Sequence, residues 1–90
     1  MFCYITVMTK ILFVCHGNIC RSPMAEFVMK KIVKDAGMEN DFVIESAAVS
    51  SEEIGNDVHP GTKEKLTQMN VPFAKRRARK ITPADYDYFD

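Results

Sequence analysis

The stretch that decides the fold is KILFVCHGNICRSPMAEF, which runs from Lys10 to Phe27. Its first part, Ile11 to Val14, is β-branched or large and apolar, without polar alternation. That pattern is typical of a short strand buried on both faces of a parallel sheet. Ser22 and Pro23 then predict a helix start, with serine as the N-cap and proline at the first helical position. The loop between them therefore joins the end of a strand to the amino end of a helix.

The rest of the chain extends this pattern into a strand–helix–strand unit. FVIESAA, Phe42 to Ala48, predicts a second short strand, and a further helix is expected from Pro60 to about Met69. Thr82, with an aspartate three residues later, predicts the start of a third helix. Apolar residues at helical spacing continue the first helix towards Gly37, which is placed to end it: Met24, Phe27, Val28 and Ile32. We expect an α/β fold with a parallel sheet.

The composition is that of an ordinary globular protein of one domain, with 90 residues, 47% hydrophobic and 27% charged. Twelve basic and twelve acidic residues cancel, so no overall positive field favours nucleic acid or an anionic membrane as a partner. The apolar amino-terminal run is too short for a membrane helix and lacks the cleavage site of a signal peptide. Three cysteines without a disulfide-like framework suit a reducing compartment: Cys3, Cys15 and Cys20. We expect a cytoplasmic protein with no nucleic-acid or membrane partner.

The loop CHGNICRS, Cys15 to Ser22, places a thiol and a guanidinium six positions apart. Backbone N–H groups in a loop before a helix can form an anion-binding nest, and the helix dipole adds partial positive charge. Gly17 permits a backbone conformation closed to other residues, and Arg21 can hold two phosphoryl oxygens in a bidentate manner. The same surroundings favour the thiolate form of Cys15 and make it nucleophilic near neutral pH. The loop therefore predicts a cysteine at the bottom of a phosphate cradle.

Other loop chemistries fit this stretch less well. It lacks the Gly-Lys-Ser/Thr ending of a Walker motif and the three spaced glycines of a dinucleotide fingerprint. A zinc site needs a closer pair of cysteines, and the candidate ligands have no recognised spacing: Cys3, Cys15, Cys20 and His59. The plain alternative is that both loop cysteines are small buried hydrophobes beside a strand. We expect neither a metal nor a cofactor.

The segment VCHGNICRSPMAE closely resembles the active-site signature of the low-molecular-weight protein tyrosine phosphatases. The resemblance continues through ESAAVSSEEIGN and ARKITPADYDYFD and covers about residues 8–90. It implies a parallel-sheet, flavodoxin-like phosphotyrosine phosphatase I fold, incomplete at the carboxyl terminus. Residues 1–7 then form an amino-terminal extension, and residues 8–90 form the amino-terminal portion of a single phosphatase domain.

The resemblance also implies roles for individual residues. Cys15 is then the nucleophile that forms a phosphocysteine, and Arg21 binds the phosphoryl group. Asn18, Ser22 and Ser46 support the loop, and the whole loop binds phosphate: Cys15, His16, Gly17, Asn18, Ile19, Cys20, Arg21 and Ser22. Cys20 matches a cysteine that, in the family, can form a reversible disulfide with the nucleophile. Simple packing of Cys20 in the loop is an equally open alternative.

The implied activity is metal-independent hydrolysis of phosphate monoesters. In the family, isoleucine at the position of Ile19 goes with phosphotyrosine and threonine goes with phosphoarginine. The expected partner is a phosphotyrosine protein or a small phosphate monoester. The family's general acid, an aspartate in an Asp-Pro motif, lies beyond the end of this sequence. The carboxylates near the carboxyl terminus are interpreted as surface or capping residues: Asp85, Asp87 and Asp90.

Two alternatives stay open. One is a truncated, non-catalytic phosphate-binding fragment or a half-domain that a partner completes, including by strand exchange between copies of the chain. The other is an arsenate reductase of the same fold, which needs two further cysteines that do not occur between Arg21 and Asp90. His16, Glu52 and the charge run KRRARK, Lys75 to Lys80, are interpreted as solvent-facing.

Overall fold

A computed structural model describes residues 8–90, so the extension expected at residues 1–7, with Cys3, lies outside the described residues. Strand β1 is Thr9–Cys15 and strand β2 is Phe42–Ala48. The two strands pair in parallel along their whole length, from Thr9 opposite Phe42 to Cys15 opposite Ala48. Helix α1, Arg21–Asp35, connects them. The predicted strand–helix–strand unit and the parallel α/β class are confirmed.

The sequence predicted the carboxyl end of α1 correctly and the amino end incorrectly. At the carboxyl end, Gly37 has φ +73° and its N–H bonds to the Lys34 carbonyl at 3.0 Å, as expected of a glycine that ends a helix. At the amino end the prediction is wrong, because the helix begins at Arg21 and Cys20 occupies the N-cap position. Ser22 does not cap the helix, because its hydroxyl bonds to side chains of the preceding loop.

The apolar core lies between α1 and helix α2, Pro60–Gln68. Its buried members are Phe27, Val58, Leu66 and Val71, and Met24 and Val28 pack against them. Ile32, one of the apolar residues at helical spacing, is 55% exposed, while Val33 is buried. One residue turns an α-helix by about 100°, so the buried stripe of α1 passes through Val33 and leaves its neighbour in solvent.

The later elements begin with the predicted residues. His59 is the N-cap of α2, and its ring Nδ1 accepts the Gly61 N–H at 3.0 Å. Helix α3, Pro83–Tyr88, follows Thr82, whose N–H donates to the Asp85 carboxylate at 2.7 Å. Asp85 is therefore a capping residue, as expected. Among the described residues, no helix combines the length and apolar character needed to cross a bilayer.

The basic run reaches the sheet through its backbone. The Ala48 N–H donates to the Arg79 carbonyl and the Ile81 N–H donates to the Ala48 carbonyl, both at 2.7 Å. These bonds form a parallel bridge between Ala48 and Lys80 at the carboxyl end of β2. The run therefore lies beside the loop that follows β1.

Candidate active site

The loop from Cys15 to Ser22 lies at the carboxyl end of β1 and continues directly into α1. It lines a cavity of about 600 Å³ together with Phe13, Val14 and Ala25. The backbone amides of such a loop lie at the positive end of the helix dipole, where anions are stabilised. The structure therefore gathers the eight predicted loop residues around one concave site.

Cys15 is partly buried at this site, and its sulfur has polar neighbours. The Ser22 hydroxyl lies 2.9 Å from Sγ, and the Asn18 N–H donates to Sγ at 3.2 Å. Burial alone would raise the pKa of the thiol, but the Ser22 hydroxyl and the backbone N–H groups of Ser22, Asn18 and Gly17 outweigh it. The pKa of Cys15 therefore lies below its usual range, and the thiolate is favoured.

Asn18 is the buried centre of the loop, with 1% of its surface exposed. Its Nδ2 donates to the hydroxyls of Ser22 at 2.8 Å and Ser46 at 2.9 Å. Its Oδ1 accepts from the Arg76 guanidinium at 2.7 Å and from the Arg79 N–H at 3.1 Å. An asparagine amide has two donor hydrogens and two acceptor positions, so this side chain is fully satisfied.

The special backbone conformation of the loop is at Asn18, with φ 59°, so its expected placement at Gly17 is wrong. Asparagine tolerates this left-handed region better than most residues, and the four bonds of its side chain hold it there. Space at Gly17 is limited, because a Cβ at this position would lie 3.2 Å from Cγ of Glu53, whose side chain would have to shift by a few tenths of an ångström.

Ser46 connects the loop to α1. Its hydroxyl accepts from Asn18 and donates to Oε1 of Glu26 at 2.5 Å. Glu26 is also buried, and its Oε2 accepts from Lys30 at 2.6 Å. Sequence reasoning predicted a supporting position for Ser46 but missed Glu26. The available signal was a carboxylate one turn after Ser22 and next to the apolar Phe27, because a buried carboxylate needs a partner.

The prediction of a solvated charge run is wrong for two of its members. The Arg76 side chain is 16% exposed, and its guanidinium donates to Ser46 at 2.6 Å as well as to Asn18. The Arg79 guanidinium pairs with Asp85 at 3.0 and 3.1 Å, and these bonds are the main reason why the pKa of the Asp85 carboxyl is lowered. The signal in the sequence was Ala78, an apolar residue inside the run, which is buried.

The rim of the cavity is exposed, as predicted for His16 and Glu52. The His16 ring and the Glu52 carboxylate lie 3.2 Å apart, with 71% and 73% of their side chains exposed. Arg21 is also exposed, and within residues 8–90 its guanidinium has no ion pair. A guanidinium placed in this way beside the loop amides is available to bind an anion.

Cys20 lies at the entrance to α1 and is exposed, with a free thiol like that of Cys15. The Thr62 hydroxyl, from α2, donates to its sulfur at 3.2 Å. Packing of Cys20 against α2 is therefore observed, and a disulfide with Cys15 stays a prediction.

Residues 10–90 match the family described as "Low molecular weight phosphotyrosine protein phosphatase". The protein of that name from Gallus gallus is 45% identical over 86 residues, which are 90% of this chain and 51% of the relative. The low molecular weight protein-tyrosine-phosphatase YfkJ of Bacillus subtilis is 41% identical over 83 residues, which are 92% of this chain and 53% of the relative.

Solved structures give the same result. The crystal structure of YfkJ superposes with a TM-score of 0.89 at 41% identity and is matched over 92% of this chain and 52% of its own. SP-PTP, a low molecular weight protein tyrosine phosphatase from Streptococcus pyogenes, superposes with a TM-score of 0.85 at 45% identity, over 92% and 53% of the two chains. The chain spans about half the length of the curated relatives that it matches.

Proposed function

The chain belongs to the low molecular weight phosphotyrosine protein phosphatase family, and on that premise we propose that it hydrolyses phosphate monoesters, above all protein phosphotyrosine, through a phosphocysteine. The observation that carries the proposal is the Cys15 thiol. It is held by Ser22 and the Asn18 N–H in a loop that opens a helix, and its pKa is lowered. The nucleophile and the positive surroundings both come from this chain. Cytoplasmic residence belongs to the proposal, because a reducing compartment keeps the thiols available.

The reaction divides into two displacements at phosphorus. In the first, the Cys15 sulfur attacks, the S–P bond forms, and the ester P–O bond breaks while the leaving oxygen takes a proton. In the second, water attacks the phosphocysteine, the S–P bond breaks, and inorganic phosphate leaves. Arg21 binds two phosphoryl oxygens throughout. The Ser22 hydroxyl, 2.9 Å from Sγ, stabilises the thiolate that begins and ends the cycle.

Ile19 supports the choice of phosphotyrosine among phosphate esters. Its apolar side chain is among those that line the cavity, together with the loop amides. Packing against an aromatic ring is favourable for such a side chain and would orient the ester towards Cys15. Among the described residues that line the cavity there is no carboxylate, so tyrosine, a poor leaving group, needs a proton donor from elsewhere.

The experiment is the hydrolysis of p-nitrophenyl phosphate by the full chain beside its Cys15→Ser and Cys20→Ser variants. The p-nitrophenolate group leaves with little help, so the assay depends mainly on the nucleophile and the cradle. We expect Cys15→Ser to lower the rate at least roughly 1,000-fold, and Cys20→Ser to retain most of it. Equal rates for the wild type and Cys15→Ser would overturn the proposal.

A second candidate is a phosphate-binding half-domain that another polypeptide completes. Backbone geometry favours it. The Lys10 N–H and carbonyl bond to Asp90 at the edge of β1 that faces away from β2, and alternation along a strand places the backbone groups of Leu12 and Val14 at that same edge. A strand from a partner, or from a second copy by strand exchange, can pair there. Light scattering over a range of concentrations tests the second-copy form, and a strictly monomeric, cooperatively folded chain contradicts it.

A further inference from the structure

Arg76 joins three parts of the molecule through one guanidinium. It donates to Ser46 of β2 at 2.6 Å and to Asn18 of the loop at 2.7 Å, and it lies 3.3 Å from the Glu26 carboxylate of α1. Its backbone N–H donates to Asp57 at 3.1 Å, so the residue is held on two sides. A guanidinium that is mostly buried and held by three partners has a defined position, unlike the exposed arginine beside it, Arg77.

A series of hydrogen bonds leads from Arg76 through Asn18 and Ser22 to the Cys15 sulfur. In each of these bonds the donor is the group nearer to Arg76. Arginine has no acceptor atom, so it requires the oxygen of the Asn18 amide to face it. The amide nitrogen then faces Ser22 and donates to its hydroxyl at 2.8 Å. The Ser22 hydroxyl keeps its own proton for the sulfur, 2.9 Å away. Each bond in this series polarises the next towards a negative charge on sulfur.

We propose that Arg76 is a positioning residue for the nucleophile: together with the Arg79 N–H it holds the amide orientation of Asn18, through it the direction of the Ser22 hydroxyl, and it keeps a positive charge behind the loop. This inference rests on the proposed function, in which the Cys15 thiolate is the attacking group. Arginine only donates hydrogen bonds, so it accepts a single orientation of the Asn18 amide.

The other charged groups around Arg76 are paired and do not replace it. The Glu26 carboxylate also forms an ion pair with the Lys30 ammonium at 2.6 Å, and the Asp57 carboxylate forms one with the Lys63 ammonium at 2.6 Å. Arg79 reaches Asn18 through its backbone N–H, while its side chain binds Asp85. The titratable group nearest the thiol along the chain, His16, faces Glu52 at the rim. Removal of the Arg76 guanidinium thus leaves the Asn18 oxygen with one donor among the described residues, the Arg79 N–H at 3.1 Å, so the amide orientation is held less firmly.

The test is the rate of Cys15 alkylation by iodoacetamide as a function of pH, read by mass spectrometry of the Cys15 peptide in the full chain. The variants are Arg76→Gln, Arg76→Lys and, as the matched control from the same basic run, Arg77→Gln. We expect Arg76→Gln to move the midpoint to higher pH and to slow alkylation at pH 6 roughly 3- to 10-fold, with an unchanged rate at high pH. Arg76→Lys, which retains the charge and only donates, should recover most of the rate. Arg77→Gln should follow the wild type.

Superimposed profiles of Arg76→Gln and Arg77→Gln would overturn the inference. If Arg76→Gln fails to fold by circular dichroism, Arg76→His decides, because imidazole is largely neutral at pH 7 and can accept as well as donate. Slower alkylation of Arg76→His than of Arg76→Lys at pH 7 supports the inference, and equal rates contradict it. Alkylation requires no ester hydrolysis, so a chain that turns over no substrate still gives a clear result.

Discussion

Helix α1 has two faces that are built in opposite ways. On one, Ser22 and Glu26 enter a buried polar network with side chains of the loop, of β2 and of the basic run. On the other, Phe27 packs into an apolar cluster with Val58, Leu66 and Val71. Within residues 8–90, no buried side-chain nitrogen or oxygen lacks a hydrogen-bond partner, so the polar face is as complete as the apolar one.

The two faces contribute different things. Burial of an apolar side chain stabilises a protein by about 1.5 to 3 kcal/mol, whereas a satisfied buried hydrogen bond adds only about 1 kcal/mol net. The polar network costs far more when one member is removed, because its partners stay buried without a bond. We therefore expect the apolar face to set the stability of the fold and the polar face to set the ionisation of Cys15.

The largest loss of stability is expected from Leu66→Ala on the apolar face. Leu66 is fully buried, so its truncation should lower the free energy of unfolding by about 2 to 5 kcal/mol. Urea titration followed by circular dichroism measures the change, with the exposed Gln68→Ala of the same helix as control. The pH midpoint of Cys15 alkylation should stay unchanged in the folded fraction. A shift of that midpoint would show that the two faces are not separate.

Ser46→Ala applies the opposite test to the polar face. The change removes a single oxygen but takes a bond from Asn18, Arg76 and Glu26 at once. We expect a loss of about 1 to 3 kcal/mol in the free energy of unfolding and a higher pKa for Cys15. The control is Ser51→Ala in the exposed loop after β2. A destabilised Ser46→Ala variant with an unaltered alkylation profile would contradict a role of this face in ionisation.

A comparison of Asn18→Gly with Asn18→Ala separates backbone strain from hydrogen bonding. Both variants lose the amide, but alanine must also adopt the positive φ of 59°. We expect the alanine variant to be less stable than the glycine variant by about 1 kcal/mol. Equal free energies of unfolding would mean that the loop relaxes to another conformation once the amide is gone.

The smallest expected effect is a loss of stability in acid through protonation of Asp85. Its pKa is lowered in the fold, chiefly by Arg79, so the carboxylate stabilises the protein above the ordinary aspartate range, near pH 4. That stabilisation is lost as the pH falls through the lowered value. Thermal unfolding between pH 6 and pH 3 should therefore depend less on pH in Asp85→Asn than in the exposed control Asp87→Asn. Parallel curves would exclude this contribution.

Local chemistry made much of the fold predictable. The apolar run before Cys15, the glycine at residue 37 and the threonine before α3 each act on neighbours a few residues away, and each marks the element expected of it. The expectation that Ile11 to Val14 are buried on both faces of the sheet is wrong, since Val14 is 44% exposed and no residue of β1 is fully buried. Ser22 was wrongly predicted to be the N-cap because a serine near a helix start can bond either to the helix backbone or to other side chains. Its bond to Asn18 depends on tertiary structure.

The missed residues, Glu26 and Arg76, share a different cause. A charged side chain is usually exposed to solvent. Glu26 and Arg76 are buried because they lie next to each other in the fold, although they are far apart in the sequence. The residue with positive φ was predicted at Gly17 instead of Asn18 for a related reason. Glycine and asparagine both tolerate this conformation, and the hydrogen bonds of the Asn18 side chain, which depend on tertiary structure, place it at Asn18.

The long sequence separation inside the network also sets the order in which the site is built. Asn18 lies 58 residues from Arg76 and 61 from Arg79. At a synthesis rate of about 5 to 20 residues per second, those last partners emerge roughly 3 to 12 s after Asn18. The β1–α1–β2 unit has local connections and can form during this interval, whereas the distant contacts must wait until the basic run has been synthesised. The loop of the phosphate cradle is thus translated well before the partners that make it rigid.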